Sequence, residues 1–296
     1  MADEVKKITL TPNHRMYMLE TTRVITAAAI MKLLQENKLT LEDKIFGPGS
    51  IFAQDIPAAP KNVDLLTVRH LLELTVDKSW HEDNSLEKMS PKDHIFNLKV
   101  LVSKAKFRKK PGDVSINSDI PFYILGRVIE KVSGKRYLEY IKEMTAEVTK
   151  SEISIMGDGN NKDVVVPDIF RPVRLWFDLE QYDSFKGLVC SPADMMNIIL
   201  AMDGNPAQKD FLIDASVKIM TSPVRSGPYL AKGWRIDNNK DLYYSDVERT
   251  AATFIKMRID GITWVLSVNG GSNNRGFWNN SADLADNLVK KLKEIP

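Results

Sequence analysis

The sequence has a single cysteine, no long apolar run and almost no net charge, and each of these absences narrows what the protein can be. With Cys190 alone, the 296-residue chain forms no internal disulfide, which fits a reducing compartment only weakly because many large exported domains also lack disulfides. No apolar stretch is long enough to span a bilayer, so we expect no membrane span. The 41 basic and 39 acidic residues leave a formal charge of +2, which indicates no nucleic-acid partner.

The N-terminal residues 1–7 carry charges where a signal peptide would need an apolar segment. We therefore expect a soluble chain without a signal peptide. The compartment and the identity of the natural start are not fixed by the sequence.

Apolar residues at helical spacing dominate the first two thirds of the chain. The clearest pattern predicts a helix from Thr21 to Leu39 that is apolar around most of its surface, as a central core helix would be. Ser191, Pro192 and Asp194 form a helix start signal, with a capping hydroxyl, a proline at the first helical position and an early acid. The predicted helices after the first are 65–74, 120–132, 137–148 and 193–202.

The last third changes to strand periodicity, with strands predicted at 229–236, 251–259 and 262–268. Asp260 and Gly261 separate the last two strands as a tight hairpin would. A closing helix is predicted from Ser281 to Leu292, with Leu284, Leu288 and Leu292 packing on the sheet. Helices first and strands last indicate an α+β fold. We expect one domain over 1–296, mainly helical from about 31 to 205, with sheet regions at 1–30 and 206–296.

One segment resembles the surroundings of the nucleophile in a known family. Leu10–Asn13 and Glu20–Ile30 resemble class C β-lactamases and esterases, within the serine β-lactamase and penicillin-binding protein-like superfamily. That family carries Ser-x-x-Lys here, but this chain has Glu20 at the serine position and Arg23 at the lysine position. The surrounding residues match the family, but the residues at its two catalytic positions do not.

Further short matches follow in the family's order, at 39–43, 66–72, 111–112, 125–135 and 187–194. The resemblance implies a β-lactamase/transpeptidase-like fold, with an antiparallel sheet flanked by helices and a helical subdomain. The family's Tyr-x-Asn motif falls at Asn117–Asp119, without its tyrosine, and its Lys/His-Thr-Gly motif falls at Tyr244–Asp246. The residues that the resemblance places in a vestigial cleft are Glu20, Arg23, Asn117, Asp119, Tyr244 and Ser245.

These substitutions remove the requirements of acyl transfer. A carboxylate at Glu20 would attack an acyl group only to form an anhydride, and its charge would repel the developing oxyanion. Arg23 keeps its proton near neutral pH and so cannot act as the base. We expect the two side chains to form an ion pair and the chain to be an inactive pseudo-hydrolase that works in binding, scaffolding or oligomerisation.

Two alternatives remain open. In the first, the chain is an enzyme with a rebuilt site, using Glu20 and Asp119 for hydrolytic or acid–base chemistry. In the second, which rests on the family resemblance alone, it binds peptidoglycan or D-amino-acid peptides. The expected partners are a small molecule or peptide in the cleft, or a protein partner or second copy at the sheet edge.

The sequence gives no sign of a cofactor or a metal site. Its four histidines, His14, His70, His81 and His94, lack metal-ligand spacing, and we place His70 in the core. Residues 158–163 resemble a calcium loop but lack its closing glutamate. Cys190 is expected to be a buried apolar residue and not a reactive thiol. The expected core or rim tryptophans are Trp80, Trp176, Trp234 and Trp278.

Members of the resembled family usually carry a helix and a strand hairpin before the nucleophile segment. Only about ten residues precede that segment here, and Glu4–Leu10 can supply one strand at most. Because an unpaired strand edge must be covered or paired, we expect either a longer protein or a second subunit that closes the sheet.

Overall fold

A computed structural model describes residues 2–3, 8–80, 86, 93–113, 116–155, 164–165, 180–205, 209–248, 251–269 and 275–292. The fold is α+β, as the sequence predicts. The helices are α1 (Thr22–Gln35), α2 (Val68–Leu72), α3 (His94–Lys104), α4 (Ile120–Ser133), α5 (Tyr137–Thr145), α6 (Pro192–Leu200), α7 (Asp214–Thr221) and α8 (Arg275–Leu292). The strands are β1 (Ala2–Asp3), β2 (Ile8–Thr9), β3 (Met16–Tyr17), β4 (Ser154–Ile155), β5 (Leu188–Cys190), β6 (Arg235–Ile236), β7 (Leu242–Glu248), β8 (Ala251–Met257) and β9 (Thr263–Asn269). None of the described helices is both long and apolar enough to cross a membrane.

Helix α1 lies at the centre of the core, as its all-round apolar surface predicts. Ile25, Ile30 and Leu33 are fully buried, and α4, α5 and α7 pack around the helix. The helix ends at Gln35 and not at Leu39, because Asn37 adopts a left-handed conformation with φ 56°. The N–H of Lys38 then donates to the carbonyl of Leu33, which closes the helix end with a Schellman-type bond.

The main sheet is antiparallel, in the order β6-β7-β8-β9. The predicted hairpin between β8 and β9 is confirmed, with Gly261 at φ +85°. The strand predicted over 229–236 is wrong for all but Arg235–Ile236. Gly233 interrupts it at φ +84°, and a Cβ there would lie 2.5 Å from the Cβ of Ala27. The chain therefore turns against α1 at this point instead of continuing as a strand.

The closing helix packs through a face other than the predicted one. Leu284 and Leu288 are 60% and 54% exposed. Ala282, Ala285 and Val289 contact the sheet instead, against a cluster formed by Ala252, Phe254, Trp264 and Val268. The small residues let the helix approach closely, whereas leucine periodicity alone does not identify the packed face.

Two smaller sheets lie at the chain's beginning and beside α1. Strands β1 and β2 pair with each other, and the described residues of this segment do not join the main sheet. The second small sheet has the order β3-β5-β4 and leads directly into the segment before α1. Within the described part of the chain, β9 forms one edge of the main sheet.

Candidate functional site

The residue that precedes Glu20 is a leucine with a strained backbone. Leu19 is buried and has φ 51°, a left-handed conformation that is uncommon for a bulky residue and costs on the order of 1–3 kcal/mol. A single 3-10 turn, Leu19–Thr21, follows and runs into α1. The Thr22 hydroxyl donates to the Leu19 carbonyl at 2.7 Å and accepts the N–H of Leu188 at 3.2 Å. This turn fixes Glu20 at the N-terminal end of α1.

Arg23 lies at the centre of the predicted cleft, and its side chain is 1% exposed. Its guanidinium donates to Asn117 Oδ1 at 2.9 Å, to the Tyr244 hydroxyl at 3.0 Å and to Asp119. It also lies 3.3 Å from Glu20 Oε1, which is the expected ion pair. Five of the six residues assigned to the cleft from the sequence therefore meet around one guanidinium.

The loop before α4 supplies Asn117 and Asp119. Ser118, between them, is buried and donates its hydroxyl to the carbonyl of Trp80 at 2.7 Å. That bond holds the loop while its two neighbours reach Arg23. Asp119 stands at the N-cap position of α4, and its side chain is 33% exposed.

Strand β7 supplies the other wall. The Tyr244 hydroxyl donates to Glu20 Oε2 at 3.1 Å, and the Arg235 guanidinium lies 5.3 Å from the centre of the Tyr244 ring. Successive side chains on a strand point to opposite faces, so Ser245 lies on the face of β7 away from Tyr244. Ser245, which was assigned to the cleft from the sequence, is thus set apart from the group around Arg23.

Two charged residues of the site were not predicted from the sequence. Lys186 Nζ lies 3.4 Å from Glu20 Oε1 and 4.0 Å from Asp119 Oδ2. Asp246 Oδ2 accepts the backbone N–H of Glu20 at 3.1 Å. Each carried a usable signal: Lys186 directly precedes the matched segment at 187–194, and Asp246 shares a strand face with Tyr244.

The electrostatics fix the charges of Glu20 and Arg23. Burial alone would raise the pKa of Glu20, but Arg23, Lys186 and the Tyr244 hydrogen bond together hold it below its usual value. Burial alone would lower the pKa of Arg23, yet Tyr244 and Glu20 raise it above its usual value. Glu20 and Arg23 are therefore both charged near neutral pH.

The pKa values of Tyr244 and Asp246 are both raised. Burial raises the pKa of Tyr244 to about 12, so its hydroxyl keeps its proton and serves as a hydrogen-bond donor to Glu20. Burial, with the nearby charge of Glu20, raises the pKa of Asp246 to about 6. The cleft thus holds two carboxyl groups whose pKa values have been moved in opposite directions.

A cavity of about 390 Å³ adjoins the charged cluster and shares Asn117 and Tyr244 with it. Leu74, in its wall, is a second leucine with a left-handed backbone, φ 55°. The other lining residues are mainly apolar or aromatic, with two charges: Glu73, Ile116, Phe122, Tyr229, Leu230, Ala231, Gly233, Trp234, Arg235 and Tyr243. A cavity of this size is within the range of small-molecule sites, and its two charged residues, Glu73 and Arg235, have opposite signs.

A second buried polar cluster lies elsewhere, where donor atoms of His94, Glu130 and Asp183 are within 4.8 Å of one another. Arg127 occupies this place: its guanidinium lies 2.6 Å from His94 Nε2, 3.1 Å from Glu130 Oε2 and 2.5 Å from Asp183 Oδ2. Burial, with the charge of Arg127, lowers the pKa of His94 to about 4. The three groups serve an internal cation, which makes the cluster a structural one.

The other single residues have structural surroundings. Cys190 is fully buried, and burial raises the pKa of its thiol well above the usual value, so no thiolate forms near neutral pH. His70 is half-buried and not in the core as predicted, because its Nδ1 caps the start of α2, 3.0 Å from the Thr67 hydroxyl. Trp80 and Trp234 are both buried. The predictions for residues 158–163, His81, Trp176 and the Trp278 side chain lie outside the described residues.

Comparison with known proteins gives a consistent family. The β-lactamase family model matches residues 1–281. The flp protein of Staphylococcus aureus strain MW2 is 23% identical over 260 residues, which cover 82% of this chain and 50% of that protein. The chain thus spans about half the length of the curated relatives it matches.

Solved structures share the fold. SurE with D-Leu has a TM-score of 0.73 at 17% identity, covering 97% of this chain and 65% of that one. The octameric penicillin-binding protein homologue from Pyrococcus abyssi has a TM-score of 0.68 at 19% identity, covering 90% and 65%. At these identities the likeness concerns the fold alone.

Proposed function

Since the chain belongs to the β-lactamase family, we propose that it is a catalytically silent member whose old cleft binds a ligand without hydrolysing it. The observation that carries the proposal is the position of Arg23. A guanidinium, almost fully buried, stands where the family has its lysine and is held by Glu20, Asn117, Asp119 and Tyr244.

The nucleophile, the charge and the base available in the cluster around Arg23 all argue against acyl transfer. The cluster around Arg23 contains one hydroxyl, that of Tyr244, and its raised pKa and its hydrogen bond to Glu20 make it a poor nucleophile. Glu20 is ionised, and its charge would repel the oxyanion of a tetrahedral intermediate formed beside it. Glu20 accepts the hydrogen bond of the Tyr244 hydroxyl, but it is a weak base for that proton, because its own pKa is lowered while that of Tyr244 is raised to about 12.

The adjoining cavity supports a ligand class. Its aromatic and aliphatic lining suits an apolar side chain, and Arg235 is placed to pair with a carboxylate. SurE was crystallised with D-Leu, a molecule of that description. We infer that the cleft binds a short D-amino-acid derivative with an apolar side chain and a free carboxylate.

Binding of N-acetyl-D-leucine, followed by isothermal titration calorimetry, tests this ligand class. The expected result is saturable binding that Arg235→Gln weakens by roughly tenfold, since it removes a charge-assisted hydrogen bond. Arg225→Gln removes an equal charge from an exposed position and should leave the affinity unchanged. Equal binding by all three proteins, or no binding by the wild type, contradicts the ligand assignment.

A second candidate is the rebuilt enzyme. The specific observation in its favour is the pair of carboxyl groups, Glu20 with a lowered pKa and Asp246 with a pKa raised to about 6, since acid and base are separated in this way in many active sites. Asp119, the acid assigned to this role from the sequence, has a side chain that is 33% exposed, against 12% for Glu20, and contacts the same Arg23 nitrogen as Glu20 does. Turnover of ester, β-lactam or glycoside substrates that Glu20→Gln abolishes, while the variant stays folded, would establish this candidate and remove the first.

Self-association is the remaining part of the proposal. The Pyrococcus abyssi homologue is octameric, and β9 forms an edge of the main sheet in the described part of this chain. An edge strand whose outer backbone groups have no strand partner favours pairing with another strand. Analytical ultracentrifugation over a range of concentrations tests this, with a reversible dimer or larger assembly expected and a monomer at all concentrations as the contrary result.

A further inference from the structure

A second concave surface, distinct from the cleft, is lined mainly by basic side chains. It encloses about 370 Å³ between residues 76–79, which follow α2, and residues 106–110, which follow α3. Its basic residues, all exposed, are Lys78, Lys106, Arg108, Lys109 and Lys110. We propose that this surface, called here the basic pocket, binds a small anion that carries several phosphate groups.

The basic side chains of the pocket are uncompensated. None of the five forms an ion pair within the part of the chain that the structure describes. The chain as a whole has 41 basic and 39 acidic residues, so its charges are nearly balanced. Five unpaired cations around one concavity are therefore a local excess of positive charge. Such a grouping is electrostatically unfavourable unless a counterion occupies it, and it concentrates anions near its surface.

The one carboxylate of the lining, Asp77, does not offset these charges through side-chain pairing. Its Oδ1 accepts the N–H of Ser79 at 2.9 Å, and its Oδ2 accepts the N–H groups of Arg108 and Lys109 at 2.9 and 3.0 Å. Burial would raise its pKa, but these backbone hydrogen bonds lower it. Asp77 is thus committed to the backbone, and its role is to join the two halves of the pocket.

Two buried residues that adjoin the lining segments in the chain hold those segments together. Trp80 and Phe107 are both buried and meet edge to face, with ring centres 4.8 Å apart. The carbonyl of Phe107 also accepts the side-chain amide of Asn62 at 3.2 Å. The backbone that carries the cations is therefore fixed before a ligand arrives, which reduces the ordering cost of binding.

The shape of the site favours a compact ligand. Its volume is within the range of small-molecule sites, and basic residues from two segments line one half-open space. Lysine ammonium groups bind phosphate as point charges from several directions, which suits an oligophosphate better than a single carboxylate. A flat lipid surface would engage an outward-facing row of cations instead.

Calorimetric titration of the full chain with inorganic tripolyphosphate tests the proposal. We expect saturable binding that weakens as salt is raised, because the attraction is electrostatic. The triple variant Lys78→Gln, Arg108→Gln, Lys109→Gln should bind at least about tenfold more weakly, since three direct charge contacts are lost. The control Lys218→Gln, Lys290→Gln, Lys291→Gln removes the same total charge from exposed positions elsewhere and should bind as the wild type does.

Three results would overturn the proposal. The first is absence of tripolyphosphate binding by the wild type. The second is an equal loss of affinity in both triple variants, which would mean that net charge and not the pocket attracts the anion. The third is sedimentation of the chain with vesicles of anionic phospholipid without any binding of tripolyphosphate, which would assign the patch to a membrane surface. Circular dichroism of each variant establishes that it is folded.

Discussion

Arg23 donates a hydrogen bond to the hydroxyl oxygen of Tyr244 at 3.0 Å, joining α1 to β7 across 221 positions of the chain. The same hydroxyl donates to Glu20 Oε2, so one phenol links Glu20 and Arg23. The arrangement ties the helical region to the main sheet.

Removing that hydroxyl should weaken the tie. Tyr244→Phe leaves Arg23 and Glu20 each without one partner in a buried site, and we expect the free energy of unfolding to fall by about 1–2 kcal/mol. Urea denaturation measures it. The matched control is Tyr243→Phe, one residue away, where the change should stay within about 0.5 kcal/mol. Equal losses in the two variants would mean that the Tyr244 hydroxyl has no special part in stability.

Removing the guanidinium should cost more. Arg23→Met leaves Glu20 and Asp119 with only the more distant cation Lys186 in a largely buried place, and a loss of about 3–5 kcal/mol is expected. Arg23→Lys keeps the charge and should lose less. Arg225→Met, at an exposed position, serves as the control. Full wild-type stability of Arg23→Met, measured by the same denaturation method, would show that the cluster does not hold the two regions together.

Asp246 predicts a specific dependence of stability on pH. Its pKa is about 6 in the folded chain, above the usual 3.8 that applies to the unfolded chain, so between those values the folded state binds more protons than the unfolded state. Its contribution to the free energy of unfolding should therefore fall as pH rises from about 4 to 6 and stay low above 6, by about 1–3 kcal/mol in total. Glu20, whose pKa is lowered, acts in the opposite sense and in the more acidic range, where its stabilisation is lost as pH falls below 4.5.

Comparison of Asp246→Asn with the wild type isolates this group. The asparagine can still accept the N–H of Glu20, and it carries no charge at any pH. We expect the variant to be more stable than the wild type at pH 7 and to show no such advantage at pH 4. A difference that does not change with pH would contradict the raised pKa.

The two sides of α8 should respond differently to polar substitution. Leu284→Gln with Leu288→Gln changes exposed positions and should alter the free energy of unfolding by less than about 0.5 kcal/mol per site. Ala285→Gln places a larger polar side chain against the cluster around Trp264 and should destabilise by about 1–3 kcal/mol. Thermal and urea unfolding of the two variants decide the matter, and the reverse order of effects would mean that the leucines face the sheet.

The fold was predictable from the sequence because its strongest signals are local and repeated. The apolar surface of α1, the start signal at Ser191 and the Asp260–Gly261 hairpin each depend on near neighbours, and the structure has all three. The contact of Gly233 with Ala27 is different in kind, since it depends on residues far apart in the chain. Gly233 disfavours a strand over 229–236, but the residue type alone does not show that the backbone turns against α1 there.

Part of the candidate site was likewise predictable from the sequence, and part was not. Alignment to the family's motifs brought together Glu20, Arg23, Asn117, Asp119 and Tyr244, which the structure places around one guanidinium. Lys186 and Asp246 were not among the residues assigned to the cleft, although Asp246 falls in the third motif, and their distances from Glu20 identify them. The face of β7 on which Ser245 lies was also not predicted, because the sequence does not show how β7 pairs with β8.

The most direct test of catalytic silence is the intact mass of the protein after incubation with acylating probes, a fluorescent penicillin and a 4-nitrophenyl ester, with a serine β-lactamase treated in parallel to show that the probes react. We expect an unchanged mass and ester hydrolysis at the rate of buffer alone, because neither Glu20 nor Tyr244 can form and release an acyl intermediate. A mass increase equal to the acyl group, located by peptide mapping in the cleft and lost in Tyr244→Phe or Glu20→Gln, would contradict catalytic silence.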